Sequence, residues 1–286
     1  MTNIFDIHIN TMDPTFIFVD GSYYNFYRYY ALLQWWKISK PDEVLEDPYQ
    51  NAEFLAKFRK THVENLKQIP NKLILNKNCN PILIVGKDCK RENIWRMKHF
   101  PAYKGTRDDG KGEFKGGPFF KMVYEDNLFL EGGAKAILKH PHLEADDCIA
   151  LSVKYLLQKY GTSCQIYIIT SDKDYLQLSA DNVHLFNLTY RNIATGKGTT
   201  GNPETDLQIK IIMGDSSDNI PSVFPKCGPK TAQKCIDDPA FLLKKMTEKP
   251  EEYQKQYELN QLLVDFNKIP QELQDEFISS LRNHTN

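Results

Sequence analysis

The fold is decided by the stretch Thr15-Phe16-Ile17-Phe18-Val19-Asp20-Gly21-Ser22. Its apolar, β-prone residues run up to an Asp-Gly pair, which is the pattern of a short buried strand ending in a turn. Four further segments have strand character: 81–86, 134–138, 165–170 and 183–187. Helical patterns separate several of them. This alternation predicts an α/β fold whose sheet is mostly parallel.

Helix signals lie between these strands. Ser22 is placed to cap a helix that extends to Trp36, and a second amphipathic helix fits residues 51–67, with Pro70 as its end. A third helix opens at Glu144 and runs to about residue 160, where a glycine follows. These helices are expected to flank the sheet.

The pattern changes near residue 203, where short helices punctuated by proline and glycine begin. We therefore predict a larger sheet-containing domain over residues 1–202 and a smaller helical lobe over residues 203–286. Within the first domain, a glycine-rich stretch from Gly105 to Pro118 has little apolar surface to anchor it. It is expected to form a mobile loop.

Composition excludes several protein classes. With 41% hydrophobic and 26% charged residues, the 286-residue chain is a globular protein and not a disordered or fibrous one. No stretch approaches the roughly 18 apolar residues of a membrane span, and the N-terminus lacks a secretory signal pattern. The six cysteines form no C-x-x-C pair, which favours reduced thiols and an intracellular location, in cytosol or nucleus.

Acidic residues cluster at the predicted strand ends. Asp20 and Asp88 follow the first and second strands, and Asp172 and Asp174 follow the strand at 165–170. Carboxyl ends of parallel strands gather at one edge of a sheet, where ligands bind. Five further acids can join this edge, three of them at a predicted helix start: Glu144, Asp146, Asp147, Asp215 and Asp218.

A site with this many carboxylates requires cations, because unpaired buried carboxylates repel one another. Oxygen ligands without histidine or cysteine favour Mg²⁺, with Mn²⁺ as a substitute, over zinc. Two such ions about 4 Å apart can activate a water and stabilise the leaving oxygen of a phosphodiester. Each acidic motif alone is common in solvated turns, but their combination at strand ends predicts a metal-dependent phosphodiesterase.

A basic window accompanies the acids. Between residues 87 and 121 there are ten basic and five acidic side chains, although the whole chain carries a net charge of −1. If the nine acids face bound cations, the remaining surface is positive. Such a surface can hold nucleic-acid phosphates.

Four collinear blocks and one later segment together carry a family resemblance. The blocks are Phe18-Val19-Asp20-Gly21-Ser22, Tyr103-Lys104-Gly105-Thr106-Arg107, Leu143-Glu144-Ala145-Asp146-Asp147 and Thr170-Ser171-Asp172-Lys173-Asp174. The later segment runs from Ile212 to Ala232. They resemble the flap endonuclease and 5′→3′ exonuclease superfamily, especially phage-type 5′ nucleases and the 5′ nuclease domain of bacterial DNA polymerase. The resemblance implies a PIN-like sheet domain with a helix-three-turn-helix lobe.

The resemblance also implies residue roles. It assigns a first metal to Asp20, Asp88, Glu144, Asp146 and Asp147, and a second to Asp172, Asp174 and Asp218, with Asp215 nearby. Lys104 and Arg107 would contact the scissile phosphate as catalytic residues, and Tyr103 would stack on the terminal base. Residues 90–125 would form an arch for a 5′ single strand. Duplex DNA would be held by Lys226, Gly228, Lys230 and Thr231.

Two departures from the family pattern stand out. Asp88 lies in a less regular strand end than the family's aspartate. In the later segment, residues 222–228 carry one extra residue and place Lys226 where the family has glycine, which puts a K⁺ site in doubt. A variant of this kind is expected in stand-alone nucleases of large DNA viruses, whose compartment would be the host cell.

The predicted activity is a structure-selective 5′ nuclease, monomeric, acting on DNA with a 5′ flap, nick or recessed end, or on an RNA–DNA hybrid, in replication, repair or recombination. Two alternatives remain open. An RNA-directed 5′ exonuclease has a chemically similar catalytic edge. A catalytically silent junction-binding scaffold would bind DNA without turnover.

Overall fold

A computed structural model describes residues 13–73, 79–105 and 114–283. The strands are β1 (Thr15–Asp20), β2 (Ile82–Gly86), β3 (Ala136–Leu138), β4 (Gln165–Ile169) and β5 (Val183–Phe186). The helices are α1 (Gly21–Ser39), α2 (Ala52–Lys72), α3 (Gly117–Glu125), α4 (Leu128–Glu131), α5 (Ala145–Tyr160), α6 (Pro203–Met213), α7 (Pro229–Asp237), α8 (Pro239–Met246), α9 (Pro250–Val264) and α10 (Gln271–Asn283). No helix in these ranges is both long and apolar enough to cross a bilayer.

The five strands form one sheet in the order β3-β2-β1-β4-β5, and every neighbouring pair is parallel. In central β1, Phe18 lies opposite Ile84 of β2 and Ile168 of β4. Parallel sheets need both faces covered, which explains why this strand is apolar without alternation. The predicted α/β class with a mostly parallel sheet is confirmed.

Helices cover both faces of the sheet. Side chains of a strand point alternately to opposite faces, and in β1 Phe16 and Phe18 pack with α5 while Ile17 and Val19 pack with α1 and α2. All four side chains are fully buried. Strand β1 therefore contributes to the centre of two apolar cores, one on each face of the sheet.

The turn after β1 brings the backbone close to β2. A Cβ atom added to Gly21 would lie 2.5 Å from the carbonyl oxygen of Gly86 and 2.5 Å from the Tyr124 hydroxyl. The Asp20-Gly21 pair is thus required by packing as well as by the turn. The sequence predicted Ser22 as the cap of α1, but the cap is Asp20. Its carboxylate accepts a hydrogen bond from Tyr23 N at 2.9 Å.

One other helix prediction needs adjustment, and another holds. α2 continues through Pro70 to Lys72, because a proline in the last turn removes only one helical hydrogen bond. α5 begins as predicted: Glu144 is its N-cap, and Glu144 and Asp147 form a reciprocal capping box. The helix therefore places its first acids at the carboxyl edge of the sheet.

α6 begins at Pro203, next to the predicted boundary, and α6 to α9 form a separate apolar core that includes Phe224 and Tyr253.

The C-terminal segment differs from the prediction, which had placed it in the lobe. Phe266 and Phe277 are buried against α5 in the main core. The segment from about residue 265 onward therefore belongs to the sheet domain, because its apolar face is covered there.

Candidate active site

The carboxyl ends of β1, β2 and β4 meet at one edge, as predicted. Asp20 ends β1 and pairs in register with Gly86, the last residue of β2. Asp88 follows two residues later and accepts hydrogen bonds from Ser22 Oγ and from the backbone N of Ala145 at 2.8 Å. The start of α5 is thereby fastened to the end of β2.

Asp20 lies inside this edge. Burial, together with the neighbouring charges of Asp88 and Asp172, raises the pKa of its carboxyl to about 7, against the opposing hydrogen bond from Tyr23 N. A carboxylate held in such surroundings favours a bound cation. The nearby Tyr175 hydroxyl donates to Asp20 at 3.4 Å.

Replacing Asp20 with asparagine is expected to stabilise the metal-free protein at high pH. Because the folded-state pKa is about 7 against an ordinary 3.8, folded protein binds this proton more tightly, and stability falls as pH rises from about 4 to about 7. Asparagine still caps α1 but carries no charge. In EDTA at pH 8, the free energy of unfolding of Asp20→Asn, measured with urea, should exceed that of wild type by on the order of 2 kcal/mol.

The difference between the two proteins should become small near pH 4, where Asp20 is protonated in the folded chain and about half protonated in the unfolded chain. The exposed Asp181→Asn is the matched control and should show no such pH dependence. An Asp20→Asn protein that is no more stable than wild type at pH 8 in EDTA contradicts the prediction.

A group of three acids opens α5. Glu144, Asp146 and Asp147 each present one oxygen, and these oxygens lie within 4.8 Å of one another. Burial, followed by the charges of Asp147 and Glu144, raises the pKa of Asp146 well above its ordinary value. Asp146 Oδ1 accepts from the backbone N of Asp147 at 2.7 Å. It is half-buried at the edge and is well placed as a ligand.

Asp147 has a different environment. It is fully buried, and Arg96 donates to its two oxygens at 2.7 and 2.8 Å, with Trp95 Nε1 at 3.0 Å. Arg96 also donates to Glu144 at 3.0 Å. Protein donors hold both oxygens of Asp147, and one of its oxygens lies within 4.8 Å of the Glu144 and Asp146 oxygens, so its direct ligation of a metal stays a prediction. Arg96 is the internal counter-charge of this group.

Tyr103 does not offer its ring for stacking on a base, contrary to expectation. Its side chain is only 3% exposed, and its hydroxyl donates to Glu144 at 3.1 Å and to Asp218 at 3.3 Å. Tyr103 and Lys104 lie beneath the site, because the backbone N of Lys104 donates to the carbonyl oxygen of Asp218 at 2.8 Å. Tyr103 therefore links α5 to the lobe.

Lys104 lies among the acids, and its catalytic role stays a prediction. Its ammonium contacts Glu144 and lies 3.9 Å from Asp218, at the cleft between core and lobe. Arg107, the other predicted phosphate contact, lies outside the described residues, as does most of the predicted loop from 105 to 118. Residues 91–93 and 95–98 form short 3-10 turns at the base of the predicted arch.

A second group of acids joins core and lobe. Oxygens of Asp174, Asp215 and Asp218 lie within 4.8 Å of one another. Asp172 caps the turn after β4 by accepting from Asp174 N at 2.9 Å. Burial acts to raise the pKa of Asp215, but the Lys210 ammonium and Ser217 outweigh it and lower the pKa to about 2. The carboxylate is therefore ionised at any working pH.

These residues fit divalent cations. Both groups offer only carboxylate oxygens, which hard cations such as Mg²⁺ and Mn²⁺ prefer. In each group a lysine ammonium already lies among the acids: Lys104 at Glu144 and Lys210 at Asp174 and Asp215. The acids are thus arranged around positive charge. Lys210 had not been singled out from the sequence, where it is one lysine in an ordinary helix.

The predicted duplex-binding residues lie on the lobe. Gly228 is the N-cap residue of α7, and Lys230 and Thr231 belong to its first turn. Lys226 is exposed and adopts a left-handed backbone with φ of 59°, the conformation that favours the family's glycine. A cavity of about 780 Å³ runs from Asp172 and Lys210 to the start of α7.

Known proteins resemble this chain in sequence and in fold. The model of the family "5′-3′ exonuclease, N-terminal resolvase-like domain" matches residues 15–203, which includes the sheet and all acids up to Asp174. The chain belongs to this 5′-3′ exonuclease family. The solved structures of phage T5 share the fold: the D15 protein co-crystallised with metal ions has a TM-score of 0.61 at 18% identity, covering 93% of this chain and 98% of that one. The zinc-bound T5 5′-exonuclease has a TM-score of 0.63 at 20% identity, with the same coverage.

Curated members of the 5′-3′ exonuclease family are similar in sequence. The "5′-3′ exonuclease" of Buchnera aphidicola subsp. Schizaphis graminum is 34% identical over 188 residues, 64% of this chain and 58% of the relative. The "DNA polymerase I" of Treponema pallidum is 34% identical over 145 residues, 48% of this chain and 14% of the relative. The matched part thus spans less than two thirds of each relative's length.

Proposed function

We propose that this member of the 5′-3′ exonuclease family is a divalent-metal-dependent 5′ nuclease that hydrolyses DNA near junctions of single and double strands. The observation that carries the proposal is the meeting of acids from the sheet edge, from α5 and from the lobe around one cleft. The names of the Buchnera relative and of a T5 D15 flap endonuclease complex with DNA and metal ions support it.

Each part of the chain has a role in this proposal. Mg²⁺, with Mn²⁺ as a substitute, would neutralise the scissile phosphate and activate the attacking water. The ligands would be Asp20, Asp88, Glu144 and Asp146 on one side, and Asp172, Asp174, Asp215 and Asp218 on the other. Lys104 would donate to a phosphate oxygen as charge builds up in the transition state. The products are a 5′-phosphate and a 3′-hydroxyl.

The lobe supplies substrate selection. The start of α7 borders the cavity through Pro229 and Gln233, and Lys230 belongs to the same turn. A helix N-terminus and lysines together hold a phosphate of duplex DNA. The duplex would thus be fixed on the lobe, so that its 5′ end or flap reaches the acids. Arg107 and the rest of the arch would guide that strand.

The test is to map cleavage positions on end-labelled 5′-flap, nicked, recessed and blunt DNA, an RNA–DNA hybrid and single-stranded RNA. Mg²⁺, Mn²⁺ and EDTA conditions are compared for each substrate. We expect cuts close to the junction on flap, nicked and recessed substrates, with hybrid strands cut from the 5′ end and no cutting in EDTA. Light scattering during gel filtration should report a monomer.

Two results would contradict the proposal. Faster cutting of single-stranded RNA than of flap DNA would favour an RNA-directed 5′ exonuclease. Tight binding to flap DNA in EDTA, without turnover of any substrate in Mg²⁺ or Mn²⁺, would identify a junction-binding scaffold.

Potassium dependence is tested in the same assay by exchanging K⁺ for Na⁺. No change in the cleavage rate is expected, since Lys226 replaces the family's glycine.

A further inference from the structure

Lys210 joins two carboxylates that come from opposite sides of the cleft. It lies in α6, the first helix of the lobe, and its side chain is 17% exposed. Its ammonium contacts Asp174 Oδ1 and lies 2.8 Å from Asp215 Oδ2. Asp174 belongs to the turn after β4 and Asp215 to the turn after α6. A single ammonium thus neutralises acids of both the core and the lobe.

The same two carboxylates belong to the group whose oxygens, with that of Asp218, lie within 4.8 Å of one another. A divalent ion binds carboxylate oxygens at about 2.0–2.6 Å, closer than an ammonium does. Two cations that share these oxygens would also repel each other strongly at such short range. Lys210 and a second divalent ion therefore compete for Asp174 and Asp215.

We infer that Lys210 is an exchangeable internal counter-ion, which leaves Asp174 and Asp215 when a divalent ion binds them. This inference rests on the proposed function, because it concerns the second metal of the same site. Lys210 stabilises the acids of the metal-free protein and lowers the apparent affinity of the second ion. It acts on the metal through the carboxylates and is a positioning residue.

The displaced ammonium has a place to go. Lys210 lines the cavity of about 780 Å³ that also contacts Asp172 and reaches Gln233 of α7. A nucleic-acid phosphate in this cavity would attract the ammonium away from the acids. Phosphate binding then raises the affinity for the second ion, and the second ion raises the affinity for phosphate by the same factor. The site would load its second metal mainly when the substrate is present.

The experiment measures metal binding without cleavage. Mn²⁺ is titrated calorimetrically into DNA-free wild type, Lys210→Met and Lys210→Arg at one fixed low ionic strength. Loss of the competing charge in Lys210→Met is expected to tighten the second Mn²⁺ site by about tenfold. Lys210→Arg keeps the charge and should bind within about threefold of wild type. The titration is repeated with a short 5′-flap duplex whose junction carries nuclease-resistant phosphorothioate linkages. This DNA should tighten the second Mn²⁺ site of wild type but not that of Lys210→Met.

Lys173→Met is the matched control. Lys173 stands between Asp172 and Asp174 in the sequence and is exposed, and it donates to the carbonyl oxygens of Lys197 and Gly198 at 3.4 and 3.0 Å. The substitution removes the same charge close to the site without vacating the carboxylates. Its second Mn²⁺ affinity should stay within about twofold to threefold of wild type, because a solvated charge is screened.

A second measurement keeps the inference testable if Lys210→Met is less stable. In EDTA its thermal unfolding midpoint should lie below that of wild type, and Mn²⁺ should raise the midpoint more than in wild type. Equal or weaker Mn²⁺ binding by folded Lys210→Met overturns the inference alone. Failure of wild type to bind Mn²⁺ at all would overturn the proposed function itself.

Discussion

Asp172→Asn is expected to lower the rate of Mg²⁺-dependent cleavage of a 5′-flap substrate by about a thousandfold or more, because it removes a charged metal ligand. The asparagine side-chain oxygen can still accept from Asp174 N, as the aspartate does at 2.9 Å, so the turn should persist. Flap-DNA affinity in Ca²⁺ should stay within a few fold of wild type. Single-turnover cleavage and fluorescence anisotropy measure the two quantities.

Asp181→Asn is the control for this substitution. Asp181 is exposed in the turn before β5, so its loss changes the net charge equally without touching the cleft. It should cleave at the wild-type rate. If Asp172→Asn also cleaves at that rate while folded, the assignment of the acids to catalysis is wrong.

Arg96→Met is expected to lower the free energy of unfolding by about 3–5 kcal/mol, the range found when one partner of a buried ion pair is removed. Arg96 is 2% exposed and donates to Glu144, to Asp147 and, through Nε at 2.7 Å, to the carbonyl oxygen of Leu263. Methionine fills similar space but leaves buried Asp147 without its counter-charge and Glu144 with Lys104 alone. Urea unfolding in EDTA measures the loss.

Lys98→Met provides the comparison, because Lys98 is exposed and lies two residues further along the same 3-10 turn. It should change the free energy of unfolding by less than about 0.5 kcal/mol. Adding Asp147→Asn to Arg96→Met should recover part of the lost stability, since one of the unpaired charges is removed. An Arg96→Met protein as stable as wild type would show that the acids need no internal counter-charge.

The sheet and its catalytic edge were predictable because each rests on local signals. An apolar run ending in Asp-Gly specifies a buried strand wherever it lies, and parallel strands carry their following residues to one edge. Asp20 and Asp172 could therefore be placed together from the sequence alone. The start of α5 was equally local, since Glu144 and Asp147 form a capping box within four residues.

What could not be predicted depends on long-range packing. Arg96 lies in the basic window and was counted with its surface charges, but it is buried beneath acids about 50 residues away in the chain. Tyr103 faces the same acids instead of solvent. Phe266 packs on α5, although its neighbours in sequence belong to the lobe. No periodicity records such partners, because burial of a side chain is decided by elements that approach only in the folded chain.

The return of the chain to the sheet domain after α9 has a mechanical consequence. The lobe formed by α6 to α9 leaves the core at Asn202 and rejoins it at Asp265, so it is anchored at both ends. The lobe also packs against the core, where Ile211 and Leu263 share an apolar cluster with Ile94 and Tyr103. We therefore expect duplex DNA bound to the lobe to meet the acids at a distance that the protein fixes.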